Sequence, residues 1–176
     1  MDDTDPEQCD NCGFNGARFA NDELLTALDA LAERWRLALL DAGSLLRTRP
    51  GPEVWSAIEY AAHSRDITAL HRYGVGEALS GTEPDFGDIA SDDLINNAVS
   101  TYERADPEEV VRVLGAEATA TASLARGAPY EQWTRGLRVG GERMTVRRLL
   151  EHALHDSTHH LIDIERNLAT LRAVED

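Results

Sequence analysis

Lysine is absent from the 176-residue chain, so all 17 of its basic residues are arginine. That absence excludes Schiff-base chemistry and the phosphate-loop lysine together. Positive charge is scarce as well: 32 acidic residues against 17 arginines leave a net charge of −15. No basic stripe with interleaved aromatics offsets it, which disfavours a nucleic-acid partner. No apolar run approaches the length of a membrane span, and the acidic stretch Met1–Gln8 is the reverse of a signal peptide. Cysteine is reduced to Cys9 and Cys12, too few for a disulfide-stapled secreted scaffold.

What is present is an ordinary globular composition, 42% hydrophobic and 28% charged. A chain of this length removes roughly 70% of its unfolded surface from water, enough for a substantial core. The expectation is a soluble, cytoplasmic protein with a small-molecule substrate and no nucleic-acid or membrane partner. Whether it pairs as a homodimer is open, since bundles of this size often do.

The pattern along the chain is helical. Leu24, Leu28, Leu31, Trp35 and Ala38 recur at helical spacing, with Asn21 or Asp22 as cap and Pro50 barring continuation past Arg49. A second helix is expected from Pro52 to about Leu79, ending in Ser80-Gly81. Residues 81–91 read as a loop, followed by a short helix from Asp92 through Tyr102. Asp106-Pro107-Glu108-Glu109 is a strong helix start, and that helix ends near Arg126-Gly127. Residues 128–144 read as irregular, anchored by Trp133, and a final helix runs from the cap Thr145 to about Ala173. No strand alternation and no repeat is evident. The reading is all-α: a four-helix bundle domain over 21–176, preceded by a Cys-x-x-Cys segment over 1–20.

Four of the six histidines, His152, His155, His159 and His160, crowd onto the last helix. An i, i+4 pair places two ligands on one helical face, and the helical wheel separates two such pairs. His160 falls inside the apolar arc defined by Leu149, Leu150, Ala153, Leu154, Leu161 and Ile164, with Asp156 on its edge. His155 and His159 fall on the outward side. Ser157 faces the core and reads as packing.

The second helix carries a stripe of Glu59, His63, Asp66 and Leu70, flanked by Ile58, Ala62, Ile67 and Ala69. Carboxylates and an imidazole buried without partners are costly, so they need a common reason to be there. A metal ion shared by His63, Asp156 and His160 supplies one, with Glu59 or Asp66 orienting His63 or serving as general base. The competing reading is a buried polar network without metal.

Cys9 and Cys12 have two chemical readings, a redox pair or half of a metal site. The surrounding sequence lacks the βαβ context of a thioredoxin-like motif, which favours metal over redox. With His155 and His159 they have the ligand count of a structural Cys₂His₂ zinc site, formed by the N-terminal segment folding back across the last helix. Gly13 suits the tight turn of such a knuckle, and His152 shares that face. The competing reading is a loose tail beside a solvated His-rich face. His71 reads as solvated, on the polar side of its helix.

WSAIEYAAHSRD (Trp55–Asp66) and LLEHALHDSTHHLIDI (Leu149–Ile164) together resemble the DinB-like superfamily, which includes mycothiol-dependent maleylpyruvate isomerases and bacillithiol transferases. The resemblance implies a four-helix bundle holding a divalent metal through a second-helix His, here His63, and an i, i+4 pair on the last helix. The second His of the family's HH falls on His160. The remaining position falls on Asp156, where the family usually has His or Glu, so the metal's identity departs from a simple carry-over. Zinc is the first expectation, with nickel, iron and manganese as alternatives. The Cys9/Cys12 segment lies outside the family pattern. Family enzymes mostly bind a low-molecular-weight thiol as thiolate for attack on an electrophile. The Lys-free, Arg-only composition resembles that of a high-GC genome, which would make mycothiol the cosubstrate. Three readings follow: a metal-dependent thiol transferase or isomerase, a metal-dependent hydrolase using water, and a non-catalytic metal-binding stress-response bundle.

Overall fold

Each long helix opens where a nearby side chain satisfies its first amides, and these starts set the architecture. The computed structural model describes residues 5–87 and 99–175. α1 (Asn21–Asp29) begins with the Glu23 carboxylate accepting from the Ala20 N–H at 2.8 Å. The cap therefore lies one residue ahead of Asn21, whose side chain instead accepts from Arg147 at 2.7 Å. α2 (Leu31–Ala42) follows after the single residue Ala30, so the continuous first helix expected to Arg49 is two segments. It ends at Gly43, whose φ of +50° only glycine adopts readily, well before Pro50.

α3 (Ala57–Ser80) starts five residues later than Pro52, which lies in a turn closed by a Gly51–Val54 bridge. Its start is set by Ser56: the Glu59 carboxylate accepts from both the N–H and the hydroxyl of Ser56, at 2.9 and 2.6 Å. Ser-x-x-Glu is the capping-box signature, present in the sequence at 56–59. α4 (Pro107–Arg126) starts with Asp106 accepting from the Glu109 N–H at 2.8 Å. α5 (Val146–Glu175) starts with Thr145 accepting from the Arg148 N–H at 3.1 Å. The expected helix at Asp92–Tyr102 lies mostly outside the described residues; residues 99–102 are helical.

With α1 and α2 forming one broken arm, α3, α4 and α5 complete a four-helix bundle. Its core joins Leu24, Leu28 and Trp35 to Ile58, Leu114, Leu150 and Leu154, all fully or almost fully buried. Each such large side chain contributes about 1.5–3 kcal/mol relative to exposure.

Two small hairpins, missed by the all-helical reading, position the functional residues. β3 (Gly136–Val139) pairs antiparallel with β4 (Glu142–Thr145) through Gly140 and Gly141, both at positive φ. A two-residue glycine loop of this kind is a strong hairpin signal, but the four-residue strands are too short for alternation to register. Residues 84–87 run along β3: the Phe86 N–H donates to the Arg138 carbonyl and the Arg138 N–H to the Pro84 carbonyl, each at 2.9 Å. β1 (Gln8–Cys9) pairs with β2 (Phe14–Asn15). This N-terminal hairpin lies against α5: the Glu7 N–H donates to Glu151, and Arg147 donates to the carbonyls of Gly16 and Phe19. Phe14 is buried, with its ring stacked on His155 at 5.1 Å.

Candidate metal centres on the last helix

α3 and α5 bring His63, Asp156 and His160 together, with one ligand atom from each lying within 4.8 Å of the others. His63 Nε2 lies 3.7 Å and His160 Nε2 3.6 Å from Asp156 Oδ1. These separations are too long for good hydrogen bonds. They approximate the ~3.4 Å edge between nitrogen and oxygen ligands of a tetrahedral ion with bonds of about 2.0–2.2 Å.

The surrounding groups orient the donors. His160 Nδ1 lies 3.1 Å from Asp163 Oδ2; donation of its N–H there leaves the Nε2 lone pair on the side of Asp156. The Ser64 hydroxyl lies 3.5 Å from Asp156 Oδ2, the oxygen that does not face the imidazoles. Trp55 packs on the His63 ring at 5.1 Å and Tyr60 on His160 at 5.0 Å. Burial lowers the pKa of His160 against the pull of Asp156 and Asp163, keeping the imidazole neutral. Burial also raises Asp156, but His63 and His160 outweigh it and hold the carboxyl below its ordinary value. Two imidazoles and one carboxylate fit a divalent ion, and among the described residues they number three donors, short of a closed shell.

Asp156 also lines a cavity of about 290 Å³, walled by Ile67, Leu70, His71, Phe86 and Leu137 among others. The β3–β4 hairpin forms one side of it. His71 is therefore buried on the cavity wall, not solvated, because the hairpin and α5 cover the polar side of α3. Its Nδ1–H donates to the Ile67 carbonyl at 2.8 Å, which leaves the lone pair on Nε2. Burial, with the His152 ring tilted against it at 5.2 Å, lowers its pKa to about 4.

Neither carboxylate assigned to orient His63 does so. Glu59 is buried in the helix cap and ion-paired to Arg49, with Nε to Oε2 at 2.9 Å and a closer contact from Nη2. Its helical spacing from His63 had suggested a shared site; the capping box claims it instead. Asp66 pairs with Arg65 at 2.7 Å and with the Tyr102 hydroxyl. Asp163, Ser64 and His71 do meet the site and were missed. Asp163 stands at i+3 from His160, a spacing that could have found it.

On the neighbouring face of α5, Cys9, Cys12, His155 and His159 each place one ligand atom within 4.8 Å of the others. His152 joins a separate group with Glu7 and His155, its Nδ1 lying 3.3 Å from Glu7 Oε2. Glu7 also meets Arg148 at 2.8 Å. Burial raises the Glu7 carboxyl, but hydrogen bonds to His152 and His155 and the Arg148 charge outweigh it and hold it well below the carboxylate range.

A family model for the DinB superfamily matches residues 22–164, and the chain belongs to that superfamily. Among solved structures, YfiT from Bacillus subtilis is similar, with a TM-score of 0.75, 19% identity and 87% of each chain covered. That protein is described as a probable metal-dependent hydrolase with an unusual four-helix bundle topology. A mycothiol-dependent maleylpyruvate isomerase is similar at a TM-score of 0.63 and 13% identity, over 85% of this chain and 62% of that one. No curated protein sequence matches the chain.

Proposed function

We propose that this protein is a divalent-metal-dependent enzyme of the thiol-transferase or isomerase type, acting on a small electrophile in the cavity beside Asp156. The observation that carries this reading is the position of Asp156, which belongs both to the three-donor cluster with His63 and His160 and to the cavity wall. His63, Asp156 and His160 would hold the ion, zinc first and nickel, iron or manganese next, and it would lower the pKa of a thiol or water bound to it.

The chain's own residues supply the rest. Asp163 fixes the His160 tautomer, and Ser64 steadies Asp156. The apolar lining excludes water and favours an uncharged substrate; arginine is absent from the described residues that line it. His71, kept neutral by burial with its Nε2 lone pair free of the Ile67 bond, offers a hydrogen-bond acceptor on this wall, which it shares with His152. The resemblance to thiol-dependent family members supports a thiol as cosubstrate, with mycothiol as the candidate. The fold shared with a mycothiol-dependent isomerase supports the same choice.

A hydrolase reading is favoured by the more extensive similarity to YfiT. Metal-loaded protein assayed with a small electrophile, with and without a mycothiol mimic, separates the two. Turnover that requires the thiol supports the transferase or isomerase reading; equal turnover without it supports the hydrolase. No turnover with either, together with unaltered metal binding by His63→Ala, would overturn both.

A further inference from the structure

The N-terminal hairpin carries chemistry that the inner cluster does not use. Gly13 sits at φ +72° and its N–H donates to the Cys9 carbonyl at 2.8 Å. This turns the chain so that Cys9 and Cys12 approach the same face of α5. A left-handed glycine directly after the second cysteine is what a tight Cys-x-x-Cys-Gly knuckle requires.

The histidines are oriented to meet these sulfurs. His155 Nδ1 lies 2.8 Å from Glu7 Oε1, so its N–H is donated to a carboxylate. The other ring nitrogen, Nε2, is buried and has no hydrogen-bond partner among the described residues. A buried lone pair without a donor is a cost that a bound cation removes. His159 presents Nδ1 to Cys9 Sγ at 3.5 Å, while its Nε2 lies 3.5 Å from Asp163 Oδ2. With Zn–S of about 2.3 Å and Zn–N of about 2.05 Å, a tetrahedral angle sets sulfur and nitrogen ~3.6 Å apart. The observed separation matches that edge. Each imidazole thus has a carboxylate behind it, Glu7 for His155 and Asp163 for His159, the usual backing of a histidine ligand.

We propose that Cys9, Cys12, His155 and His159 form a second, closed zinc site that clamps the N-terminal hairpin to α5. Two thiolates and two imidazoles complete a tetrahedral shell, leaving no open position, and select zinc over the hard divalent ions. The site is structural, and it does not depend on the inner cluster being catalytic. The same Asp163 oxygen that backs His159 also lies 3.1 Å from His160 Nδ1, so one carboxylate buttresses both centres.

The test uses the full chain purified without a polyhistidine tag. Two equivalents of zinc are expected. Cobalt-substituted protein should show a thiolate-to-cobalt charge-transfer band, lost in Cys9→Ser and kept in His63→Ala. A wild-type cobalt spectrum without that band, or a Cys9→Ser protein with undiminished metal content, would overturn the site. Unmutated protein provides a check free of folding artefacts. Alkylation of Cys9 and Cys12 should be slower by about tenfold or more with zinc than after chelation. Equal rates would refute the proposal. Loss of metal from His63→Ala with the charge-transfer band intact would bear on the inner centre alone.

Discussion

The two faces of α5 carry ligand pairs of the same i, i+4 spacing, yet they differ in what covers them. Asp156 and His160 meet one histidine from α3 and border a cavity. His155 and His159 meet two cysteines on a hairpin that stacks Phe14 against His155. Three donors beside a cavity leave room for a reacting molecule; four donors under a lid do not. On the proposed reading, what separates a chemical from a structural centre is the set of segments that fold over the helix.

The largest effect should come from emptying the outer face. The double change Cys9→Ser and Cys12→Ser should lower the unfolding free energy by about 4 kcal/mol at free zinc a thousandfold above the outer site's dissociation constant. His63→Ala should shift it far less. Urea denaturation with and without zinc checks both, and equal losses would erase the distinction.

The cavity wall beside the inner face should be proton-sensitive through His71. His71 titrates near 4 in the folded protein and near 6.5 when unfolded, so the unfolded chain binds more protons between these values. Stability of metal-free protein should therefore fall as pH drops from about 6.5 toward 4, by up to about 1.4 kcal/mol per pH unit. His71→Gln should flatten that slope. An unchanged profile would mean that His71 is not held neutral by burial.

Asp163 touches both sides of the comparison. Asp163→Asn should weaken metal binding at both centres, by about 10–100-fold each. Competitive chelator titration reads the two losses separately, and weakening confined to one centre would show that the carboxylate serves that centre alone. The smallest effect is expected at Glu59. Glu59→Gln should cost about 1–2 kcal/mol through the cap and the Arg49 pair while metal content stays constant. A loss of metal would restore Glu59 to the inner site.

Much of this was legible in the sequence because α5 is long, regular and strongly amphipathic. The wheel therefore separates His160 from His155 without any knowledge of the partner helices. The resemblance of Trp55–Asp66 and Leu149–Ile164 to one superfamily matches the family assignment over residues 22–164. What failed had local causes. Glu59 shares helical spacing with His63, but the Ser56 cap three residues earlier decides its partner. His71 was assigned to solvent because the face it occupies is covered by a hairpin with only four residues per strand. Asp163 was overlooked because its role is to orient other side chains, and only its i+3 spacing from His160 marked it.

The most direct measurement is anomalous diffraction at the zinc edge from crystals of the zinc-loaded full chain. Two peaks are expected on adjacent faces of α5. One should lie among His63, Asp156 and His160, and the other among Cys9, Cys12, His155 and His159. Density at neither cluster, or a single ion drawing ligands from both faces, would contradict the division of this helix into a reactive and a structural side.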